Sequence, residues 1–283
     1  MSAIASSSDD GSRAPPFPAR QRAEGRIEVE ARALGGATRV MRVHESGAAR
    51  LRLPRSEHGL DAVMLNVAGG VACGDRMSVT VDAGPGAAIA LSTPGAERIY
   101  RSDGPAAEIV TRLSVGPQGA LAWAPQETIL FDRARLERRL DADVAEDARL
   151  TVYEGLNFGR KARGETISEG LLEDRWRVRR GGRLAFAETL RLDGPIHELL
   201  AKRTVAGGAT SLATILHVAP DAVSKLEATR EALAGSGVEA GVTAWNGMLV
   251  ARILSPLAET LREAARAALP ILLDRPLPRV WTC

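Results

Sequence analysis

Hydrophobic and polar residues alternate along most of the chain, so that every second position is apolar over short runs. A period of two is typical of β-strands that bury one face. The pattern predicts strands over 27–30, 38–43, 51–53, 76–81, 88–93, 109–115, 120–124, 136–144, 150–153, 175–179, 184–191, 238–245 and 248–254. The sequence therefore predicts a mainly β protein.

Glycine-rich turns separate several of these strands. Gly84-Pro85-Gly86 is not a dinucleotide-binding loop, because it lacks the third glycine and leads into a strand instead of a helix. It is predicted to be a hairpin turn. Gly116-Pro117-Gln118-Gly119 and Gly181-Gly182 also precede alternating runs. Asn246-Gly247 is the strongest hairpin signal, since both residues accept the positive φ angles of a type I′ turn.

Three segments that begin with glycine resemble one another, namely 86–91, 119–124 and 182–187. A turn and a strand that recur in this way are typical of stacked or coiled sheets, as in β-helices and solenoids. An ordinary sandwich with repeated hairpins is the alternative.

Helical periodicity appears near the C-terminus, in two segments. Residues 221–234 have apolar positions at helical spacing and stop at Gly235. A second helix is predicted over 256–269, with Ser255 as its N-cap. The first 24 residues have no periodicity and are expected to form a disordered tail, which leaves 25–283 as a single domain.

Charge and cysteine content restrict the class of protein. The net charge is +2, from 37 basic and 35 acidic residues, so no strong field extends over the surface to attract nucleic acid or a membrane. The two cysteines, Cys73 and Cys283, are too few for a disulfide framework and favour a reducing cytoplasm. A signal peptide is not expected, because the N-terminal stretch has no apolar core, and no apolar run reaches the roughly 18 residues that a membrane span needs.

Motifs for catalysis are missing from the sequence. It has no P-loop, no His-Glu-x-x-His and no Gly-x-Ser-x-Gly, and its four histidines are scattered singly. The informative residues are acids within strand-like stretches, namely Asp75, Glu127, Asp132, Glu154, Glu165 and Glu188. Either nearby arginines neutralise them in structural ion pairs, or they line a polar conduit for a divalent cation.

Asp75 ends a glycine-rich turn over 65–75. Residues of this type more often make local hydrogen bonds in a turn than bind a ligand, although a carboxylate beside glycine amides can also hold a hard cation. Cys73 in the same turn is either a packing residue or a soft metal ligand.

Motifs that run from about residue 25 to the C-terminus resemble, in order, those of the urease accessory protein UreD family, also called UreH. The motifs are 68–75, 93–102, 123–131, 158–160 with 163–166, and 277–281, and their marker residues include Gly69, Gly70, Gly74, Tyr100, Arg101 and Arg160. Cys73 departs from the family's pattern, which commonly has glycine at that place.

The resemblance implies a right-handed, helix-like stack of strands with a few helices, in a protein that is not an enzyme. UreD-like proteins are expected to join UreF and the GTPase UreG on apo-urease and to pass nickel through an internal channel. The implied partners are therefore UreF, UreG and the urease subunits, with a dimer inside that complex as one option. No cofactor is expected to bind tightly, and nickel is expected to bind transiently.

By position, the resemblance assigns acidic residues to the channel or its mouth: Asp75, Glu154 and Glu188, followed by Glu127 and Glu165. Asp75 and Cys73 are candidate transient nickel ligands. The C-terminal helices and tail are candidates for the UreF contact, with Trp281, Leu257 and Leu261 as contact residues, unless the helices only cap open sheet edges. Two other classes stay open, a metal-dependent hydrolase and a β-solenoid binding module unrelated to urease.

Overall fold

The computed structural model describes residues 22–282 of the chain. Strands make up 52% of the structure, and there are three α-helices in the described range. Most of the predicted tail over 1–24 lies outside the described residues, and the first strand begins at Glu24.

The strands are β1 Glu24–Leu34, β2 Ala37–Gly47, β3 Ala49–Arg52, β4 Leu60–Asn66, β5 Arg76–Ala83, β6 Ala88–Ser92, β7 Glu97–Ile99, β8 Ala107–Val115, β9 Ala120–Trp123, β10 Thr128–Leu130, β11 Arg135–Val144, β12 Arg149–Phe158, β13 Gly170–Arg180, β14 Arg183–Gly194, β15 Ser211–Val218, β16 Glu239–Trp245 and β17 Met248–Ser255. The helices are α1 Ile196–Ala201, α2 Leu226–Ala234 and α3 Ala258–Leu273, and short 3-10 turns lie at Lys161–Arg163, Ala222–Lys225 and Arg279–Trp281.

Two large sheets form the body of the protein. The first sheet has the order β14-β13-β11-β8-β5-β1-β2, and its five central strands run parallel. The second sheet has the order β16-β17-β15-β12-β9-β6-β4-β3, with a parallel section from β4 to β12. The chain passes from one sheet to the other and back, which gives a β-solenoid of about four turns. The predicted coiled-sheet fold is confirmed.

The turn Gly84-Pro85-Gly86 is a corner of the solenoid, so the predicted hairpin is wrong. It joins β5 in the first sheet to β6 in the second. The amide of Gly84 donates to Ala31 O at 2.9 Å, and that of Gly86 donates to Pro117 O at 2.9 Å, so both bond to neighbouring coils. Alternation in sequence cannot distinguish a corner from a hairpin, because the flanking strands look the same in either case.

Two other turns are hairpins, and that at Asn246-Gly247 was predicted. Asn246-Gly247 joins β16 to β17, with φ angles of 48° and 72° that suit a type I′ turn. Gly181-Gly182 joins β13 to β14, with φ angles of 54° and 77°. Of the three similar segments, those at 86–91 and 119–124 lie in adjacent coils, whereas 182–187 follows a hairpin and starts no coil.

A narrow third side of the solenoid is built from β7, β10 and the end of β12. Ile99 pairs with Leu130, and Leu130 pairs with Phe158, all in parallel. Val71 from the glycine-rich turn forms a parallel bridge to Ile99. The four side chains are buried in one cluster. The glycine-rich turn is therefore the first rung of this side.

The second sheet is covered on both faces. One face packs against the first sheet through residues such as Leu91 and Val152, and the other packs against α2 and α3 through residues such as Tyr153 and Ile215. A strand buried on both faces carries no alternation. This explains why β15 was not predicted and why β12 extends beyond the predicted 150–153.

The C-terminal helices differ in detail from the prediction. The segment 221–234 is a 3-10 turn over Ala222–Lys225 followed by α2, which ends before Gly235 as predicted. Helix α3 begins after Leu257, so the assignment of Ser255 as N-cap is wrong. Ser255 belongs to β17, and its hydroxyl accepts a hydrogen bond from Leu257 N at 3.1 Å.

Candidate functional site

A charged cluster lies between the two sheets. Arg138 on β11 is 5% exposed, and its guanidinium donates to Glu154 Oε2 and to Asp174 Oδ2, each at 2.5 Å. Arg138 and Asp174 are register partners in the first sheet, whereas Glu154 comes from β12 in the second sheet. The ion pair thus joins the two sheets through their interior.

Two indoles complete the hydrogen bonding of the carboxylates. Trp123 Nε1 donates to Glu154 Oε1 at 2.8 Å, and Trp176 Nε1 donates to Asp174 Oδ1 at 3.1 Å. Each carboxylate is therefore held on one side by an indole and on the other by the guanidinium. The Nε of Arg138 is buried and has no hydrogen-bond partner among the described residues.

The cluster contains two carboxylates and one guanidinium, so one negative charge is uncompensated when all three groups are ionised. Burial raises the pKa of Glu154, an effect that the charge of Arg138 opposes and that of Asp174 reinforces. Burial lowers the pKa of Arg138, but the charges of Asp174 and Glu154 raise it by more. Arg138 therefore stays charged, and burial favours a proton or a further cation at Glu154.

Two cavities meet at this cluster. The first, of about 150 Å³, is lined by Glu154, Asp174 and Glu188 among others. The second, of about 110 Å³, is lined by Glu154, Arg138 and Glu97 among others. Glu154 borders both cavities, so the cluster forms the partition between them.

Each cavity has another acidic residue in its wall. In the first, Glu188 on β14 pairs with Arg252 on β17 at 2.5 Å, which again links the two sheets. In the second, Glu97 accepts hydrogen bonds from Asn66 Nδ2 at 3.3 and 3.4 Å. Burial raises the pKa of Glu97, and the Asn66 hydrogen bond opposes that effect.

The structure thus brings two predicted residues, Glu154 and Glu188, to one cavity. It adds Arg138, Asp174 and Glu97, which sequence reasoning missed. A signal for Arg138 was present, since it occupies an inward position between Leu136 and Leu140 in an alternating run. A charged residue at such a position has to be paired inside the protein.

Glu127 and Glu165 lie in ion pairs outside these two cavities. Glu127 is 3% exposed, and its two carboxylate oxygens accept a bidentate hydrogen bond from Arg262 on α3. Glu165 accepts from Arg160 Nε at 2.8 Å and Nη2 at 2.7 Å. Asp132 accepts from Ser168 N at 2.7 Å.

Asp75 caps the glycine-rich turn. Its carboxylate accepts from Ala23 N at 2.8 Å and from Ala72 N at 2.8 Å. The backbone carbonyl of Asp75 accepts from Glu108 N at 2.8 Å, which ties the turn to the next coil. These contacts give Asp75 a local role in holding the turn against its neighbours.

Glycine is required at the turn by a close contact. Gly70 has a φ of 143°, and a Cβ there would lie 2.4 Å from the ring of Tyr100. Gly69 and Gly74 also have positive φ angles, whereas Cys73 does not. The cysteine is 4% exposed, and it lies in the turn without the strain of a positive φ angle.

The motif residues of the third side form a continuous row of contacts. Tyr100 donates to Gly69 O at 3.0 Å, and its ring meets that of Phe131 edge-on at 5.0 Å between centroids. The guanidinium of Arg160 lies 4.2 Å from the centre of the Phe131 ring and also binds Glu165. Arg101 is exposed and forms an isolated bridge to Ala134.

The C-terminal contact candidates differ in accessibility. Trp281 is 2% exposed, and its indole donates to Ala124 O at 3.0 Å. Leu261 on α3 is also buried, whereas Leu257 is 48% exposed. The helices cover the face of the second sheet, so Trp281 and Leu261 belong to the protein's own core and Leu257 is the candidate at the surface.

Residues 22–282 contain no group of three or more His, Cys, Asp or Glu side chains arranged to hold a metal ion. In the same range, we find no helix that is long and apolar enough to cross a membrane.

The fold and the cluster define a β-solenoid that encloses one charged cluster between its sheets. The chain belongs to the UreD urease accessory protein family, whose model matches residues 22–282. It is 53% identical over 274 residues to the urease accessory protein UreD of Methylobacterium sp. (strain 4-46), with 94% of this chain and 97% of the relative covered. It is 52% identical over 262 residues to UreD of Xanthobacter autotrophicus, with 93% and 91% covered. Family membership implies a role in urease maturation.

Proposed function

We propose that the protein is a non-catalytic scaffold for loading nickel into apo-urease in the cytoplasm, and that nickel ions pass through its interior. The observation that carries this proposal is the position of Glu154, which borders two cavities inside the solenoid. The cavities extend from the Glu97 side to the Glu188 side of the cluster. A path through both would be bordered by acidic side chains along its length.

The chemistry of these side chains suits a transient cargo. Carboxylate oxygens bind divalent cations weakly enough to release them, whereas thiolates and paired imidazoles hold nickel more tightly. The residues lining the two cavities include no His or Cys. The uncompensated negative charge at the cluster favours entry of a cation over an anion.

The test is urease activation in cells with limiting nickel. Glu154→Gln and Glu188→Gln are expected to lower the nickel content and activity of urease, because each removes a carboxylate from the path without changing its shape. Glu173→Gln is the matched control, since Glu173 is next to Asp174 on β13 but faces Arg175 and Arg191. Unchanged nickel loading in both cavity variants, with complexes still formed, would refute the path.

The scaffold role concerns UreF and UreG, which we propose as partners together with the urease subunits. Leu257 at the start of α3 is the exposed apolar candidate for the UreF contact. Leu257→Asp is expected to abolish capture of UreF while leaving the thermal stability unchanged. Met41→Asp is the control, because Met41 is 54% exposed on β2, outside the C-terminal helices.

The absence of catalysis is part of the same proposal. A hydrolase would turn over GTP or an ester without any partner. We expect the purified chain to hydrolyse neither, and GTP hydrolysis in the assembled complex to depend on UreG. Turnover by the purified chain that survives removal of contaminating GTPases would contradict the scaffold role.

A further inference from the structure

The partition between the two cavities is an ion pair, and this bears on how a cation could pass. Arg138 lines the second cavity, and Asp174 lines the first. Because Glu154 borders both, a cation on the proposed path would move between the cavities past the contacts of Arg138 with the two carboxylates. The inference that follows rests on the proposed path.

Each carboxylate has an orienting hydrogen bond besides its contact with Arg138. Trp123 fixes one oxygen of Glu154, and Trp176 fixes one oxygen of Asp174. The remaining oxygens of the two groups converge on the guanidinium from opposite sheets. Two converging carboxylate oxygens are the kind of ligand that hard divalent cations take in proteins.

On one side, the Arg138 side chain borders free space and a further carboxylate, that of Glu97. Its side chain faces the cavity of about 110 Å³ whose wall contains Glu97. Its Nε has no partner among the described residues, so only the two terminal nitrogens anchor the guanidinium. Withdrawal into this cavity would keep the positive charge close to a half-buried acid, Glu97, and would leave Glu154 and Asp174 free.

We propose that the Arg138 guanidinium occupies a divalent-cation position between Glu154 and Asp174 and closes the path until a cation displaces it towards Glu97. The arginine then acts as an internal substitute for the cargo. It keeps the two carboxylates together in the empty protein, because two buried carboxylates without a cation would repel each other. It also prevents a nickel ion from resting at the partition, since the guanidinium can return to it.

The test is equilibrium dialysis of the purified full-length chain against Ni²⁺ alone. The wild-type protein is expected to bind no ion at the partition, whereas Arg138→Met is expected to bind about one Ni²⁺ per chain, because its two carboxylates have lost their cation. Adding Glu154→Gln and Asp174→Asn to that variant is expected to abolish the binding. A folded Arg138→Met protein that binds no more Ni²⁺ than the wild type would overturn the inference, as would equal binding by the triple variant.

Arg138→Lys tests the same inference if Arg138→Met does not fold. Arg138→Lys keeps the charge, but an ammonium group cannot donate to both carboxylates in the forked geometry of a guanidinium. It is expected to bind Ni²⁺ measurably more tightly than the wild type, and equal binding would overturn the inference.

Urease activation separates this inference from the proposed path. If Arg138→Met binds Ni²⁺ at the carboxylates but Glu154→Gln leaves urease activation unchanged, the cation position is supported and the path is refuted. If Glu154→Gln abolishes activation but neither Arg138 variant gains Ni²⁺, the path is supported and the assignment of Arg138 is overturned.

Discussion

Replacement of Trp281 by alanine tests whether the C-terminal tail is part of the core. The indole is 2% exposed, meets the ring of Tyr153 edge-on at 5.3 Å between centroids, and donates to Ala124 O at 3.0 Å. Truncating a buried aromatic residue to alanine costs about 3–5 kcal/mol. The carbonyl left without a donor adds about 1 kcal/mol. We therefore expect Trp281→Ala to lower the free energy of unfolding by about 4–6 kcal/mol.

The loss is large compared with the stability of a typical domain, which is about 5–15 kcal/mol. The assay is urea unfolding of the purified full-length chain, followed by far-UV circular dichroism. Trp281→Phe is the control, because it keeps most of the packing and loses only the hydrogen bond, at about 1–2 kcal/mol.

A loss below about 2 kcal/mol for Trp281→Ala would refute the core assignment, since the transfer and cavity costs could not then apply. The result also bears on the partner contact. If Trp281 is core, its variants lose UreF binding through unfolding, whereas Leu257→Asp is expected to lose it with unchanged stability.

Three further predictions concern the turn aspartate, a buried histidine and the β16–β17 hairpin. Asp75→Ala leaves the amides of Ala23 and Ala72 without their acceptor and is expected to cost about 2–4 kcal/mol in thermal unfolding, with Asp75→Asn costing less. Burial lowers the pKa of His217 to about 4 from 6.5, so the unfolded chain binds the proton first as the pH falls and stability decreases over that interval. Between pH 7 and pH 5 this effect is about 2 kcal/mol, and His217→Gln is expected to remove that part of the pH dependence measured by urea unfolding. Gly247→Ala forces a Cβ into a φ of 72° and onto Arg180, so we expect a loss of about 1–2 kcal/mol or more, whereas Gly235→Ala at a φ of −80° is expected to cost nothing measurable. A Gly247→Ala protein as stable as the Gly235→Ala protein would contradict the turn assignment.

Alternation predicted the strands that bury one face, and it failed where both faces are buried. The predicted 109–115 and 136–144 coincide with most of β8 and β11, whose outer faces are polar. By contrast, β15 has no polar face, because α3 covers the side that would otherwise meet water. The short strands β7 and β10 have three residues each, too few to show a period.

The candidate site was predicted only in part, for a related reason. Glu154 stood out as an acid in an apolar stretch, but its ion-pair partner Arg138 lies on β11, and Arg138 also binds Asp174 on β13. Which arginine neutralises which acid depends on how the sheets face each other, and the residues alone do not determine that. The pairing of Glu154 with Arg138 follows from the contact between β11 and β12 in the folded protein.

The covering of the second sheet by the C-terminus has a consequence during synthesis. Tyr153 and Ile215 leave the ribosome well before α3 at Ala258–Leu273, which covers them. At bacterial elongation rates the interval between Tyr153 and α3 is about 5–20 s, during which an apolar sheet face has no internal cover. During that interval the uncovered face is open to non-native apolar contacts. A chain that ends just before Ala258 would lack α3 and would never gain this cover.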